Sequence, residues 1–275
     1  MDENNFEMED LIQRVLAKFD AAETSKTVQS KEKANGGEEK MIQKTCNLTE
    51  FVGATEFGDT IGLVIANVDN SLLEKMELDK KYRSIGIVGA RTGAGPQILA
   101  ADEAVKATNT EIISIELPRD TKGGAGHGSI VIFGGEDVSD VKRAVEVTLK
   151  EVDTRTFGDV YGNEAGHIEL QYTARASYAC NKVWGTPVGR AFGVIVGAPA
   201  AIGVVMADTA LKAANVEIVG YATPQHGQSF SNEVTLTITG DSGAVRQAVV
   251  SAREIGHKLL GTLGSEPKND QPSYI

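Results

Sequence analysis

The run Ala101-Asp102-Glu103-Ala104-Val105-Lys106-Ala107-Thr108-Asn109-Thr110-Glu111-Ile112-Ile113 returns 106 residues later as Ala207-Asp208-Thr209-Ala210-Leu211-Lys212-Ala213-Ala214-Asn215-Val216-Glu217-Ile218-Val219, with eight of thirteen positions identical and no gap. A long fixed offset marks a duplicated unit, and 275 residues accommodate two copies of a domain of ordinary size, about 100 residues each. Duplication directs attention to symmetry and assembly before catalysis. The expected organisation is an N-terminal helix at 1–20, a flexible linker at 21–45, a first domain at 46–155, a second at 156–264 and an exposed tail at 265–275.

Periodicity fills in the units. Met8, Leu11, Ile12, Val15, Leu16 and Phe19 share one face of a helix, while the polar stretch that follows has almost nothing to bury. A lone amphipathic helix of this length is marginal in water, so its apolar face should dock, on a partner or as a cap on its own domain. In the first repeat, strand-like runs fall at 61–68, 84–88, 111–116 and 129–133, with helices from Pro96 to Asn109 and from Val138 to Val152. The second repeat has runs at 168–175, 190–196, 217–221 and 234–239; in the last, Val234, Leu236 and Ile238 alternate with Thr235, Thr237 and Thr239, so one face is expected to be buried and the other to meet water. Each unit therefore reads as α+β, one antiparallel sheet covered by two main helices.

Charge and composition exclude several classes of partner. A net charge of -11 opposes phosphate-backbone binding, so no nucleic acid is expected. No apolar run approaches the roughly 18 to 20 residues that span a bilayer, and the acidic start lacks a basic n-region, so a cytoplasmic location without membrane contact is expected. Cys46 and Cys180 are too few for a disulfide scaffold or metal cluster and read as reduced, inert thiols.

Motifs for chemistry are weak. Gly89-Ala90-Arg91-Thr92-Gly93-Ala94-Gly95-Pro96 lies between a strand and a helix, but its glycine spacing departs from the dinucleotide fingerprint and Pro96 removes a phosphate-binding amide. The second copy, 197–203, departs further, and a tight strand-to-helix turn explains both. His127 and His226 lie in glycine-rich loops, whereas His167 and His257 stand alone. With no H-E-x-x-H, G-x-S-x-G or CxxC pattern, no catalytic residue, metal site or cofactor is expected.

Two other features repeat. The segment 118–128, with Arg119, Asp120, Thr121, Lys122, Gly123, Gly124 and His127, corresponds to 223–232, with Gln225, His226, Gln228 and Ser229. Both exceed the ordinary hairpin loop of about 2 to 5 residues, and such loops are functional or simply solvated. Lys106 and Lys212 occupy the same place in each copy. A helical lysine is usually a solvated charge, yet its repetition also suits one anchor per domain at an assembly edge.

The run 207–221, the polar loop, Val234 to Gly240 and Ser242-Gly243-Ala244-Val245-Arg246-Gln247-Ala248-Val249 strongly resemble the bacterial microcompartment shell domain, and the resemblance covers most of both repeats. An extra strand region precedes Gly86-Ile87-Val88-Gly89 and Gly193-Val194-Ile195-Val196-Gly197, so both copies resemble circularly permuted domains, as in tandem shell proteins of propanediol-, ethanolamine- or ethanol-utilisation compartments. The resemblance implies a homotrimer whose six domains imitate a hexamer and tile with other shell hexamers and pentamers. It assigns Lys106 and Lys212 to the inter-tile edge and the two loops to a pore for small polar metabolites such as 1,2-propanediol or glycerol, with loop gating as a further expectation. It also implies that Leu11, Ile12, Val15 and Leu16 bind encapsulated enzymes, diol dehydratase being a candidate. The competing reading is a small-molecule-binding enzyme or metabolite sensor using the glycine-rich loops.

Overall fold

Among the described residues ten strands form two five-stranded sheets of the same topology, in which the first, second, third, fifth and fourth strands of each repeat lie side by side and paired neighbours are antiparallel. A computed structural model describes residues 46–118, 128–227 and 231–275. The first repeat contains β1 (Phe51–Thr55), β2 (Thr60–Ile65), α1 (Asn70–Lys75), β3 (Ser84–Ala90), α2 (Gly95–Ala107), β4 (Glu111–Glu116), β5 (Ser129–Gly135) and α3 (Val138–Glu151). The second contains β6 (Val160–Asn163), β7 (Gly166–Thr173), α4 (Tyr178–Trp184), β8 (Ala191–Ala198), α5 (Ala200–Ala213), β9 (Val216–Ala222), β10 (Val234–Gly240) and α6 (Ser242–Leu260).

One face of each sheet makes the repeat's own core. In the first, Val88, Val131 and Phe133 meet Ile98, Ala101 and Ala104 of α2 and Ala144 and Val145 of α3. In the second, Ile168, Leu170, Ile195, Leu236 and Ile238 meet Ile202, Met206 and Ala210 of α5 and Val245, Ala248, Val249 and Ala252 of α6. The period of two in the strands and 3.6 in the helices points these residues at one another. The approach is close where β8 meets α5, because a Cβ on Gly203 would lie 2.6 Å from the Gly197 carbonyl oxygen.

The expected α+β units and their main elements are present, and four short elements are added to them. β1 is uniformly half-buried and β6 has four residues, so neither shows an alternation to read. Helices α1 and α4 have six and seven residues, too few for a helical period. Local chemistry delimits them instead: the Asp69 side chain accepts the Ser71 amide at the start of α1, and Gly185 ends α4 at φ 69°.

The C-terminal tail corrects the expectation of an exposed segment. Gln271 and Ile275 are buried. Gln271 donates to the Val152 and Asp153 carbonyls at 2.8 Å, while its carbonyl oxygen accepts the Phe157 amide at 3.2 Å. These carbonyls belong to the π-turn Val152–Thr156 that joins the repeats. Fully buried Asp159 receives Arg253 at 2.6 Å, Ser273 at 2.7 Å and the Tyr274 and Ile275 amides at 3.0 and 3.2 Å. The tail therefore supplies the partners that a buried linker requires.

Candidate functional site between the repeats

Helix α2 is apolar on two sides because it serves two sheets. Ile98, Ala101 and Ala104 face its own sheet, and Leu99 packs on Phe192, Val194 and Val196 on the outer face of the second sheet. This seam is stitched by cross-repeat capping. Fully buried Asp102 accepts the Ser177 amide at 2.9 Å and the Cys180 amide at 3.1 Å, satisfying amides at the start of α4 for which Ser177 offers no side-chain cap. In return, Glu169 from β7 accepts the Gly95 amide at the start of α2. A carboxylate already occupies that helix N-terminus, so the Gly89 to Pro96 turn offers no phosphate cradle.

Beside this seam lies a cavity of roughly 260 Å³. Glu169, Glu233, Thr235 and Thr237 give it polar groups, Trp184, Val194, Val196, Ile98 and Leu117 give it apolar walls, and Tyr221 and Gly227 complete one side. Among the described residues no lysine or arginine lines it. Burial pushes the Glu169 carboxyl up to about 7, with the Glu233 charge adding to the rise and His167 and the Gly95 amide opposing it. His167 Nε2 lies 3.4 Å from Glu233 Oε2, with both side chains buried, so this histidine is not solitary as its sequence position suggests.

The polar lining is specific to this seam. Strand pairing places Gly86 opposite Val64 and Phe133, and Gly193 opposite Tyr172 and Ile238. Superposing these registers matches Glu169 with Ile61, Glu233 with Gly128, and Thr235 and Thr237 with Ile130 and Ile132. The first sheet presents an apolar outer face at the same positions.

The paired lysines occupy different environments. Lys106 contacts Asp102 at 3.0 Å, Glu103 at 2.9 Å and Thr173 at 3.5 Å, with its side chain 25% exposed. Burial alone would lower its ammonium, but Glu103 and Asp102 hold it above its usual range. Lys212 pairs with Asp208 at 2.6 Å and is 75% exposed. Gln225 and His226 sit on an exposed turn closed by the Thr223 amide donating to the His226 carbonyl at 2.7 Å. The structure does not bring these two side chains into the cavity lining. Arg119, Asp120, Thr121, Lys122, Gly123, Gly124, His127, Gln228 and Ser229 lie outside the described residues, as do Leu11, Ile12, Val15 and Leu16.

Sequence reasoning missed Glu169, Glu233 and Trp184. The alternation of His167, Glu169, Gln171 and Thr173 with Ile168, Leu170 and Tyr172 was a readable signal for a polar strand face. Such a face ordinarily meets water; here α2, the π-turn and the C-terminal tail cover it. Among the described residues no helix is long and apolar enough to cross a membrane, and no cluster of ligating side chains could hold a metal ion.

The comparisons with known proteins agree with this architecture. The BMC domain profile matches residues 84–163 and 191–266, beginning in each repeat at β3 or β8. The bacterial microcompartment shell protein PduB of Citrobacter freundii is 76% identical over 235 residues, 86% of each chain. The protein of that name from Limosilactobacillus reuteri is 57% identical over 85% of this chain and 98% of its own. Among solved structures, a trimeric bacterial microcompartment shell protein PduB matches with 58% identity and TM-score 0.80, covering 83% of this chain and 100% of that one. EtuB from Clostridium kluyveri matches with 52% identity and TM-score 0.80, covering 84% and 100%. Relatives named as shell proteins accord with a structural chain that has no chemistry of its own, and two BMC domains in tandem account for the internal duplication. The chain belongs to the BMC-domain shell proteins of bacterial microcompartments.

Proposed function

We propose that three copies of this chain close into a flat ring that tiles a microcompartment shell, with small polar solutes entering the cavity between the repeats of each copy. The observation carrying the ring is the inequality of α2 and α5. Both helices are apolar on two sides, but the outer side of α5 is open: Val204 is 48% and Val205 42% exposed, and Ile218 and Tyr221 on β9 are exposed as well. Val205 stands where Leu99 stands in the first repeat. Leu99 is covered by the second sheet of its own chain, so Val205 is matched to the first sheet of another, where Ile61 is exposed and Ile87 only half-buried. Repeating the intrachain seam as a heterologous contact closes a ring, and the trimeric relative supports closure at three.

In solution the chain should run as a species of about 87 kDa, three times its 29.1 kDa. Val205→Glu should yield a folded monomer with native far-UV circular dichroism, because the substituted side chain is outside both repeat cores. A Val205→Glu protein that remains trimeric would refute the seam as the subunit contact.

The tile edge and cargo assignments belong to the same proposal. Lys212, largely exposed, is free to reach a neighbouring tile, whereas Lys106 is held within the seam. Lys212→Ala should weaken sheet formation by purified trimers more than Lys106→Ala does in any variant that still forms trimers. The segment carrying Leu11, Ile12, Val15 and Leu16 is proposed to engage encapsulated enzymes, helix in groove. Shells assembled from a chain lacking residues 1–44 should close and lose cargo; unchanged cargo retention would refute the assignment. Diols and glycerol suit the cavity as solutes because its threonine hydroxyls and carboxyl groups can bond hydroxyl groups while its apolar walls take a short carbon chain.

A further inference from the structure

We infer that the C-terminal tail is a strap that holds the seam between the two repeats shut, with Tyr274 as its catch and Arg155 as the positioning residue that carries its hold to α2. Three observations carry it. Alternate residues of β7 turn to the seam, and each engages a different element. Glu169 accepts the Gly95 amide at the start of α2, fully buried Gln171 bonds the tail and the π-turn, and Thr173 lies 3.5 Å from Lys106 in the last turn of α2. The tail thus enters the face that α2 lies on, between the two ends of the helix. Tyr274 bonds this strand twice: its hydroxyl donates to Gln171 Oε1 at 2.8 Å and accepts the Tyr172 amide at 3.2 Å, while Gln171 Nε2 donates to the Thr156 carbonyl at 3.0 Å. The Arg155 guanidinium lies over the Tyr274 ring, 5.1 Å from its centroid, pairs with Glu151 at 2.6 Å and stands 3.8 Å from Glu103 on α2. Glu103 also takes Lys106 at 2.9 Å, so tail, π-turn and α2 are joined through one ring and a run of charges.

The physical argument is the cost of an orphaned buried group. When the Tyr274 hydroxyl leaves, the Gln171 carbonyl loses a donor inside the protein, and that costs free energy until water reaches it. Water reaches this face by lifting what lies on it, so departure of the tail favours parting of the seam. The contact of Arg155 with the ring adds to the hold, because a cation over an aromatic face is attracted most where both are shielded from solvent. The matching positions of β2 are Ile61, Leu63 and Ile65, which offer a tyrosine hydroxyl no amide side chain, so the catch belongs to the second sheet. The cavity is walled by Gly95 and Ile98 of α2 on one side and by Glu169, Val194 and Thr235 of the second sheet on the other, so a parted seam is a wider cavity. Such an opening is local, and both repeat cores stay folded through it.

Native-state hydrogen exchange of the full-length assembled protein, resolved to single amides, reads the seam directly. The Ser177 and Cys180 amides donate to Asp102 and the Gly95 amide to Glu169, all across the seam, so they exchange when it parts. Leu236 and Ile238 on β10, between β8 and β9, report the core of the second repeat. Tyr274→Phe keeps the ring under Arg155 and removes only the hydroxyl; it should speed the three seam amides about tenfold and the two β10 amides by less than about twofold. Arg155→Gln should give the same pattern. The double variant should fall short of the product of the two single effects, because both substitutions loosen one catch. Gly203→Ala, which strains the second core away from the tail, should speed the β10 amides at least as much as the seam amides. Seam amides unchanged in Tyr274→Phe, or seam and core amides speeded by one common factor, overturn the strap. Full multiplicativity of Tyr274→Phe and Arg155→Gln overturns the part assigned to Arg155.

Discussion

Asp102 on α2 accepts the Ser177 amide of the other repeat at 2.9 Å, whereas its sequence counterpart Asp208 on α5 lies at the surface, 60% exposed and paired with Lys212. One duplicated carboxylate thus serves as a buried stitch in one copy and a surface group in the other. Chain connectivity causes the difference, because α4 lies against α2 within the same chain. Asp102→Asn should destabilise the protein by about 2 to 4 kcal/mol, since the amide group leaves a poorer acceptor for two buried amides and removes one of the two carboxylate partners of Lys106. Asp208→Asn should change the melting temperature of a dissociated chain, such as Val205→Glu, by no more than a surface substitution does. Thermal melts of the two variants in that background check this.

Glu169 should impose a pH dependence on stability. Its folded value of about 7 lies above the ordinary 4.5. The folded chain therefore keeps a proton that the unfolded chain gives up, so the stability associated with this proton is present at low pH and is lost as pH rises from 4.5 towards 7. The full loss is of order 3 kcal/mol. The melting temperature of wild-type protein should fall across that window more steeply than that of Glu169→Gln, with the two curves parallel above pH 7.5. Parallel curves throughout would show that Glu169 carries no such shift.

Removing the tail should damage the body of the protein. Truncation after Gly264 deprives buried Asp159 of Ser273 and two backbone amides and uncovers the Val152 and Asp153 carbonyls. A loss of at least about 3 kcal/mol is expected from the uncompensated buried groups. Gln271→Ala alone should cost about 1 to 3 kcal/mol. Urea unfolding of both variants measures these losses; wild-type stability after truncation would show that the tail is dispensable.

Two glycine substitutions should separate close packing from backbone strain. In Gly203→Ala the new Cβ meets the Gly197 carbonyl at 2.6 Å and the Val234 side chain at 2.8 Å, inside the core of the second repeat. In Gly185→Ala it meets nothing within 4 Å, and only the φ of 69° opposes it. The first should cost about 2 kcal/mol or more and the second about 1 kcal/mol. Melts of the two variants, in trimeric protein and in the Val205→Glu background, test the order.

Sequence alone determined the duplication, the α+β character of each copy and most of the longer elements, because long-range identity and the periods of two and 3.6 are properties of the chain itself. The alternation of Val234, Leu236 and Ile238 with threonines correctly marked a strand with two unlike faces. It placed the threonine face in water, whereas Thr237 and Thr239 are buried in the folded chain. Lys106 and Lys212 are equivalent in sequence and the sequence assigns them one role, and Asp102 and Asp208 beside them are equivalent in sequence too; only the folded chain, which seats α2 on the second sheet and leaves α5 open, makes the members of each pair different. The same holds for Glu169, Glu233 and Trp184, which are spread over more than sixty residues and become one site when α2 closes over them. Burial, and with it the perturbed acidity of Glu169, depends on neighbours brought in from distant sequence. The tail likewise read as polar and exposed, since its hydrogen-bonding partners in the π-turn lie more than one hundred residues away. Local pattern decided what each segment is, and the order in which two similar bodies pack decided what each residue does.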